Sequence, residues 1–316
     1  KSDFLMADEN PDNIQGPRSS LSEDGYLDRK FDYMITNPPF GVSWKSDEDF
    51  VKNETKDSNG RFSAGTPRTS DGSLLFLQHL IYKMEPKGSR IGIVFNGSPL
   101  FTGDAGSGES EIRKWIIEKD LLETIIMLPD RLFFNTGITT YIWILDNQKK
   151  KDRKGKIQLI DAKNYYKFIR NKLGEKNKEI SDEQRLEIMK IYEDFNENQK
   201  SKIFKNDYFK YTKVIIDQYL KDKLGNVVVD KKGNPKIDKK NRDYERVPSN
   251  QEIEKYLLKE VKPHIREYFH NKDLDKIGYE ISLTKEFYEY EKLRPTEEIK
   301  NDLIKLNEEI FNLEKD

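Results

Sequence analysis

A double proline at positions 38 and 39 ends an apolar segment near the start of the chain. Residues 31–36 have the length and the aromatic and β-branched content of a buried strand, which proline cannot extend because it lacks an N–H and fixes φ. Asn37 therefore lies in a rigid turn at the carboxyl end of the strand, where open α/β sheets bind ligands. The Asn37 amide, a free carbonyl and the Phe40 ring suit a planar amine. The alternative is a proline-terminated strand with a capping asparagine.

Apolar strand segments and helical segments alternate over the first half of the chain. Further strands are predicted at residues 90–96, 124–128, 139–145 and 156–161, and helices at 73–84 and 109–118. Continuous apolar strands separated by helices predict an α/β fold, with a largely parallel sheet covered on both faces. The close spacing of the last two strands predicts an antiparallel edge.

Composition excludes several classes of function. Charged residues make up 36% of the 316, yet the formal net charge is −1, so the chain as a whole does not attract nucleic acid. The absence of cysteine excludes disulfides, thiolate metal sites and a cysteine nucleophile. The three histidines lack ligand spacing, so no metal site is predicted. No apolar run approaches the roughly 20 residues of a membrane span, and a cytoplasmic protein without membrane contact is expected.

The second half has a different composition, rich in Lys and Glu. We predict a domain boundary near 165, with a mainly helical region at 166–316 that contains an exposed β-ribbon near 225–240. Capping boxes are predicted at 181–184 and 249–252, and no internal repeat is predicted. In the last helix, from about Thr296, apolar residues alternate at spacings of four and three, which suits either one partner helix or a fold-back onto the chain's own domain. These residues are Ile299, Leu303, Leu306, Ile310 and Leu313.

Together these segments resemble the methylation subunit of bacterial type I restriction-modification systems, which methylates adenine in DNA. The resemblance extends along nearly the whole chain and is far more specific than the Asn-Pro-Pro-Phe turn, which unrelated methyltransferases share. The matching segments are 31–44, 71–84, 90–104, 111–147 and 156–162, with 245–249, 260–264 and 276–280 downstream. The resemblance implies a class I, Rossmann-like methyltransferase sheet that uses S-adenosylmethionine.

The resemblance also assigns roles to residues. The Asn37 side chain and the Pro38 carbonyl accept the hydrogen bonds of the adenine amino group, Pro39 holds the turn, and Phe40 stacks on a base flipped out of the duplex. A second base-contacting turn lies at 133–136. Its residues are Phe133, Phe134, Asn135 and Thr136, for which core aromatics before an edge strand are the alternative.

The resemblance implies partners as well. They are double-stranded DNA, the specificity subunit, a second methylation subunit and the restriction subunit. The specificity subunit is expected to read the DNA target, and one of its helices is the candidate partner for the last helix.

The cofactor site departs from the family pattern. The family's glycine-rich loop precedes its Asn-Pro-Pro-Phe turn, but only 36 residues precede Asn37 and none forms such a loop. Gly16 and Ser19, together with Asn37, are the remaining candidates for cofactor contact, so the site is expected to be incomplete. A C-terminal fragment, inactive in isolation, is therefore expected. An inactive scaffold that docks partner subunits is one alternative, and a ribosomal-RNA or protein-glutamine methyltransferase is the other.

Two polar segments remain open between functional and structural interpretations. Residues 45–71 form either a lid over the flipped base or a disordered loop. The basic turn at 149–154 either contacts phosphates or is a solvated loop.

Overall fold

The computed structural model describes residues 16–265, 267–290 and 293–313. The chain divides into two compact units, Lys1–Leu283 and Thr284–Asp316. The strands are β1 (Tyr33–Thr36), β2 (Arg90–Phe95), β3 (Leu122–Met127), β4 (Tyr141–Asp146), β5 (Lys156–Asp161), β6 (Lys167–Leu173), β7 (Lys176–Glu179), β8 (Ser201–Lys205), β9 (Lys210–Asp217), β10 (Asp243–Pro248), β11 (Phe269–His270) and β12 (Lys276–Tyr279). The helices are α1 (Glu48–Glu54), α2 (Ser73–Tyr82), α3 (Ser98–Phe101), α4 (Gly108–Glu118), α5 (Asp182–Asp194), α6 (Ile253–Tyr256), α7 (Leu283–Glu286) and α8 (Thr296–Leu313).

The central sheet has the order β1-β2-β4-β3-β5-β8. Strands β1, β2, β3 and β5 point in one direction, while β4 and β8 point in the other. The α/β prediction is confirmed, but the antiparallel strand predicted at an edge lies inside the sheet, because β4 inserts between β2 and β3. Every residue of β3 is buried, and Trp143 on β4 is fully buried against Phe95.

Strand β1 departs from its prediction as a buried strand. Tyr33 is 79% exposed and Ile35 is 92% exposed. The cause is the position of β1 in the sheet rather than its composition. Among the described residues, β1 pairs only with β2, and none of them covers the face that carries Tyr33 and Ile35. An apolar sequence predicts a strand, whereas its neighbours decide whether that strand is buried.

The region after residue 165 is mixed α/β, which corrects the prediction of a mainly helical extension. It holds the β6–β7 hairpin, strand β8 of the central sheet, and a second sheet in which β10, β11 and β12 all pair with β9. Strand β9 is rich in aromatic and β-branched residues, a composition typical of strands. Since β8 extends the central sheet past 165 and the compact units divide after Leu283, the boundary at 165 stays a prediction.

Only one of the two predicted capping boxes forms. At α5 the Ser181 Oγ accepts from the Gln184 N–H and the Gln184 side chain accepts from the Ser181 N–H. At the second, α6 begins after Glu252 without a side-chain cap. There the Ser249 hydroxyl donates instead to the Asp207 carbonyl, 2.6 Å away, so a tertiary contact replaces the local cap.

Residues 218–242 form three turns rather than the predicted two-stranded ribbon. Backbone hydrogen bonds of 2.8 Å run from the Val228 N–H to the Leu220 carbonyl, from Lys236 to Val228, and from Leu220 back to Lys236. Since these donors lie eight residues apart and the last bond returns to the first residue, the three turns close into a ring. We call residues 218–242 the lysine trefoil. Its eight-residue period is an internal repeat, which corrects the prediction that none exists.

Helix α8 confirms the helix predicted from Thr296. None of its described residues is buried, and the five apolar residues of the predicted seam, Ile299, Leu303, Leu306, Ile310 and Leu313, are between 44% and 76% exposed.

Candidate functional site

The predicted amine-binding turn, residues 37–40, follows directly from the end of β1. The Asn37 side chain is exposed and makes no hydrogen bond with the described part of the chain. Pro38 is buried and Phe40 is half-buried, while Pro39 is exposed. Gly41 then turns the chain with φ of +62°, a conformation that glycine adopts without strain. The turn thus presents an amide with free hydrogen-bonding capacity beside an aromatic ring.

A backbone clamp holds the chain immediately after this turn. The Gly72 N–H donates to the Val42 carbonyl at 2.9 Å, and the Trp44 N–H donates to the Thr69 carbonyl at 3.1 Å. The Trp44 indole N–H donates to the Arg68 carbonyl at 2.9 Å. These three bonds tie the turn to the start of α2.

Residues 45–71 are ordered, so the prediction of a disordered loop is wrong. A 3₁₀ turn (Lys45–Asp47) leads into α1, and Val51 and Phe62 are fully buried. Both belong to one apolar cluster with Trp44, Leu21 and Leu75. Apolar residues in a sequence otherwise rich in Gly, Ser and Asn supply this core. A lid function for the segment stays a prediction.

Arg61 is the polar centre behind the clamp. Its guanidinium pairs with the Glu54 carboxylate at 2.7 Å and donates to the carbonyls of Ser20 and Leu21. It also lies 3.1 Å from the His79 Nδ1. Burial, reinforced by the Arg61 charge, lowers the pKa of His79 to about 4. At neutral pH, His79 is therefore uncharged, and its ring can accept from Arg61.

The turn shares its edge of the sheet with the loops that follow β2 and β3. Because β1, β2 and β3 point the same way, their carboxyl ends all lie at this edge. After β2, the Asn96 Oδ1 accepts from the Ser98 N–H at 3.0 Å and shapes the start of α3. After β3 comes the second predicted base-contacting turn, three strand positions from β1, or about 14 Å across the sheet.

That second turn, residues 133–136, is on the surface. Phe134 is 57% exposed and Asn135 is exposed, whereas Phe133 and Thr136 are half-buried and bridge to each other. The alternative of core aromatics is therefore wrong for Phe134. The structure places residues 37–40 and 133–136 at one edge, with β2 and β4 between them.

The β6–β7 hairpin supports the second turn, a role that sequence reasoning missed. The Glu175 N–H donates to the Phe134 carbonyl at 2.9 Å, and the Asn177 N–H donates to the Arg131 carbonyl at 3.2 Å. The Lys176 ammonium lies 5.3 Å from the centre of the Phe134 ring, within cation–π range. The signal in the sequence that could have predicted this hairpin was Gly174 between two short basic segments, which is typical of a hairpin turn.

Gly174 is required for this contact. Its φ is +62°, and a Cβ added there would lie 2.5 Å from the Phe134 carbonyl oxygen. The hairpin tip can thus reach the second turn only with glycine at this position.

Comparison with known proteins assigns the family. A model of the family described as N-6 DNA Methylase matches residues 4–223. The chain belongs to the N-6 DNA methylase family. A methylase subunit of the type I restriction enzyme HindI from Haemophilus influenzae is 36% identical over 144 residues, which are 46% of this chain and 30% of that protein. The MjaIX methylase subunit from Methanocaldococcus jannaschii is 34% identical over 155 residues, 48% of this chain and 26% of that protein.

The N-6 DNA methylase chain thus matches about a quarter to a third of the length of these curated relatives. A solved type I restriction-modification methyltransferase subunit from Streptococcus thermophilus superposes with a TM-score of 0.54 at 22% identity, covering 65% of this chain and 41% of that one. At that identity the superposition shows a common fold.

The cofactor candidates of this N-6 DNA methylase chain are only partly suited to their predicted role. The Ser19 Oγ accepts from the Leu21 N–H and the Ser19 carbonyl accepts from the Glu23 N–H, so these oxygens stabilise their own turn. Gly16 is half-buried with φ of +127°. Contact of Gly16, Ser19 and Asn37 with S-adenosylmethionine stays a prediction.

One other surface feature, the basic turn, is partly explained by the structure, and contact of its exposed lysines with phosphates stays a prediction. In the basic turn at 149–154, Lys149 and Arg153 are buried and pair with Asp120 and Glu123, which leaves Lys150, Lys151 and Lys154 exposed.

Within the described residues, no group of His, Asp and Glu could hold a metal ion. No helix in the same part of the chain is long and apolar enough to cross a bilayer.

Proposed function

We propose that the chain is the catalytic part of an adenine-N6 DNA methyltransferase subunit of a type I restriction-modification complex. The observation that carries this proposal is the free Asn37 amide in its double-proline turn, at the ligand-binding edge of the sheet in a chain of this family. The methyl group is proposed to come from S-adenosylmethionine, which the family implies.

The turn acts by positioning the adenine amino group. The Asn37 Oδ1 and the Pro38 carbonyl are two acceptors that match the two amino hydrogens of adenine. Accepting both draws the nitrogen away from conjugation with the ring and turns its lone pair outward. Since that nitrogen is paired in the duplex, the adenine must flip out, and Phe40 then stacks on its face. Positioning by a rigid turn suits a reaction that needs no covalent intermediate.

The second turn contributes on the opposite side of the proposed base pocket. Phe134 is exposed and its carbonyl is held by the hairpin, so the ring is available to a base or to the neighbouring strand of DNA. Asn135 and Thr136 offer polar groups to the edge of the base.

Helix α8 is proposed to dock on a helix of the specificity subunit, in a complex that also holds a second methylation subunit and the restriction subunit. Its exposed seam would gain about 1.5–3 kcal/mol for each side chain fully removed from water. Leu303→Lys with Leu306→Lys should abolish co-purification with that subunit and leave the melting temperature of the Lys1–Leu283 unit unchanged. Unfolding of the whole chain with retained partner binding would contradict the docking role.

Two alternative functions remain to be separated. A ribosomal-RNA or protein-glutamine methyltransferase would share the turn, and the family match argues for DNA instead. An inactive scaffold would retain α8 and the fold but gain nothing from the free Asn37 amide. Methylation activity of the assembled complex therefore separates a methyltransferase from the inactive scaffold. The substrate that is methylated separates the DNA enzyme from the ribosomal-RNA and protein-glutamine enzymes.

The test is Asn37→Ala in the protein assembled with its partners. Methyl transfer to adenine in duplex DNA should fall by a factor of about 10²–10³, the typical cost of losing one such acceptor or donor. Asn196→Ala, which removes an exposed amide elsewhere, is the matched control and should keep full activity. Near-normal methylation by Asn37→Ala would show that the turn is structural. The isolated chain is expected to be inactive.

A further inference from the structure

The lysine trefoil repeats one turn three times. Asp222, Asp230 and Asp238 lie eight residues apart, and each begins a turn closed by an N–H of the third residue after it, at 3.0–3.3 Å. The bridges Lys221↔Val227, Val229↔Pro235 and Tyr219↔Ile237 follow the same period and close the ring. A closed ring of backbone bonds holds the three turns in a set arrangement.

The three aspartates stabilise these turns internally. The Asp222 Oδ1 accepts from the Leu224 and Asn226 N–H groups, and the Asp230 Oδ1 accepts in the same way from Lys232 and Asn234. Asp238 accepts from the Lys240 N–H at 3.0 Å. Their carboxylates are therefore directed at backbone rather than at lysine side chains.

The lysines of the trefoil are largely free. The residue after each aspartate is a lysine, namely Lys223, Lys231 and Lys239, and all three are exposed. Together with Lys232 and Lys240, they form no ion pair within residues 16–265, 267–290 and 293–313. Residues 218–242 contain eight Lys and Arg against three Asp, in a chain whose formal net charge is −1. The trefoil is thus a local cationic surface that the overall charge conceals.

The trefoil is also firmly anchored. Arg242 donates two hydrogen bonds, of 2.6 and 2.9 Å, to the fully buried carboxylate of Asp217 at the end of β9. Tyr219 stacks on Phe269 of β11 with ring centres 5.1 Å apart. A mobile charged loop would lose conformational entropy on binding, whereas an anchored one loses less.

We propose that the lysine trefoil binds the phosphate backbone of double-stranded DNA, without reading its sequence. A set array of exposed ammonium groups fits a polyanion, because each phosphate contact releases condensed counterions. The choice of DNA as the polyanion rests on the proposed methyltransferase function. The trefoil would hold the duplex irrespective of the methylated sequence.

The test measures how DNA affinity depends on salt. Lys223→Gln, Lys231→Gln and Lys239→Gln are combined in one variant, and Lys87→Gln, Lys119→Gln and Lys190→Gln in a matched control with three exposed lysines elsewhere. Fluorescence anisotropy with a duplex of about 30 base pairs is recorded between about 50 and 200 mM KCl. The slope of log K against log salt should become shallower by about 1 for each lysine that contacts a phosphate, hence by about 1–3 for the trefoil variant. The control should keep the wild-type slope.

The outcomes separate this inference from the proposed function. Asn37→Ala should keep the wild-type salt slope, and the trefoil variant should still methylate at saturating DNA and low salt. An unchanged slope in the trefoil variant would overturn the inference, whatever the methylation result. If the variant with the unchanged slope also lost binding to phosphatidylglycerol vesicles, the trefoil would be assigned to membranes instead.

Discussion

The two turns at the carboxyl edge of the sheet obtain their shape in opposite ways. Residues 37–40 carry two prolines, so the backbone angles of that turn are restricted by covalent structure. Residues 133–136 have no such restriction, and hydrogen bonds from Glu175 and Asn177 hold the segment from about 40 residues away. A turn of the first kind is recognisable as a motif. A turn of the second kind becomes visible only when its support is folded against it.

The supports beneath the two turns also differ in burial. The first rests on the Trp44 cluster and on the polar group around Arg61 and the partly buried His79. The second rests on a hairpin whose residues are mostly exposed. We therefore expect acid and backbone substitutions to affect the two turns unequally.

The largest effect is expected from acid on the first support. The pKa of His79 is lowered to about 4 in the folded protein, against an ordinary value of 6.5. As the pH falls, the unfolded chain therefore binds a proton at His79 before the folded chain does. The stabilisation that neutral His79 provides is complete above pH 6.5 and is lost as the pH falls towards 4. From pH 7 to about pH 4.5, His79 should account for a loss of about 2–3 kcal/mol in the free energy of unfolding.

His79→Gln checks this expectation, since glutamine can also accept from Arg61 but does not titrate. Urea unfolding at pH 7 and pH 4.5 should show a smaller loss for the variant than for the wild-type protein. Hydrogen exchange in acid should rise more in residues 19–62 than in the β6–β7 hairpin. Equal pH dependence in the two proteins would show that His79 is protonated when folded.

A smaller effect on stability is expected from alanine substitution of two glycines that have the same backbone angle. Gly41 and Gly174 both have φ of +62°, but an added Cβ meets no atom within 4 Å at Gly41 and lies 2.5 Å from the Phe134 carbonyl oxygen at Gly174. Alanine should cost about 1–2 kcal/mol of left-handed strain at both positions. Gly174→Ala should cost about 1 kcal/mol more, because the hairpin must withdraw from Phe134.

Chemical denaturation of the two variants measures this difference, and Gly41→Ala serves as the control for backbone strain. The Glu175 amide, which donates to the Phe134 carbonyl, should gain exchange only in Gly174→Ala. Equal stability of the two variants would mean that the hairpin yields without cost and does not support the second turn.

Local sequence patterns predicted the elements and the motif, but not their surroundings. The strand at 156–161, the last helix and the Ser181 capping box each depend on neighbouring residues, and all three formed as predicted. The burial of β1, the position of β4 and the second capping box depend on distant partners, and these predictions were wrong. The trefoil repeat was readable from its eight-residue spacing, yet its ring closure was not.

The sequence by itself determined the α/β class, the double-proline turn at the end of β1 and the family resemblance that the N-6 DNA methylase match then confirmed. These follow from covalent restriction and short-range periodicity, which act within a few residues. Tertiary structure alone decided that Asn37 stays free, that β6–β7 holds Phe134, and that burial together with Arg61 keeps His79 neutral. Those properties arise from hydrogen bonds and burial between segments distant in sequence, and only the folded chain brings these segments together.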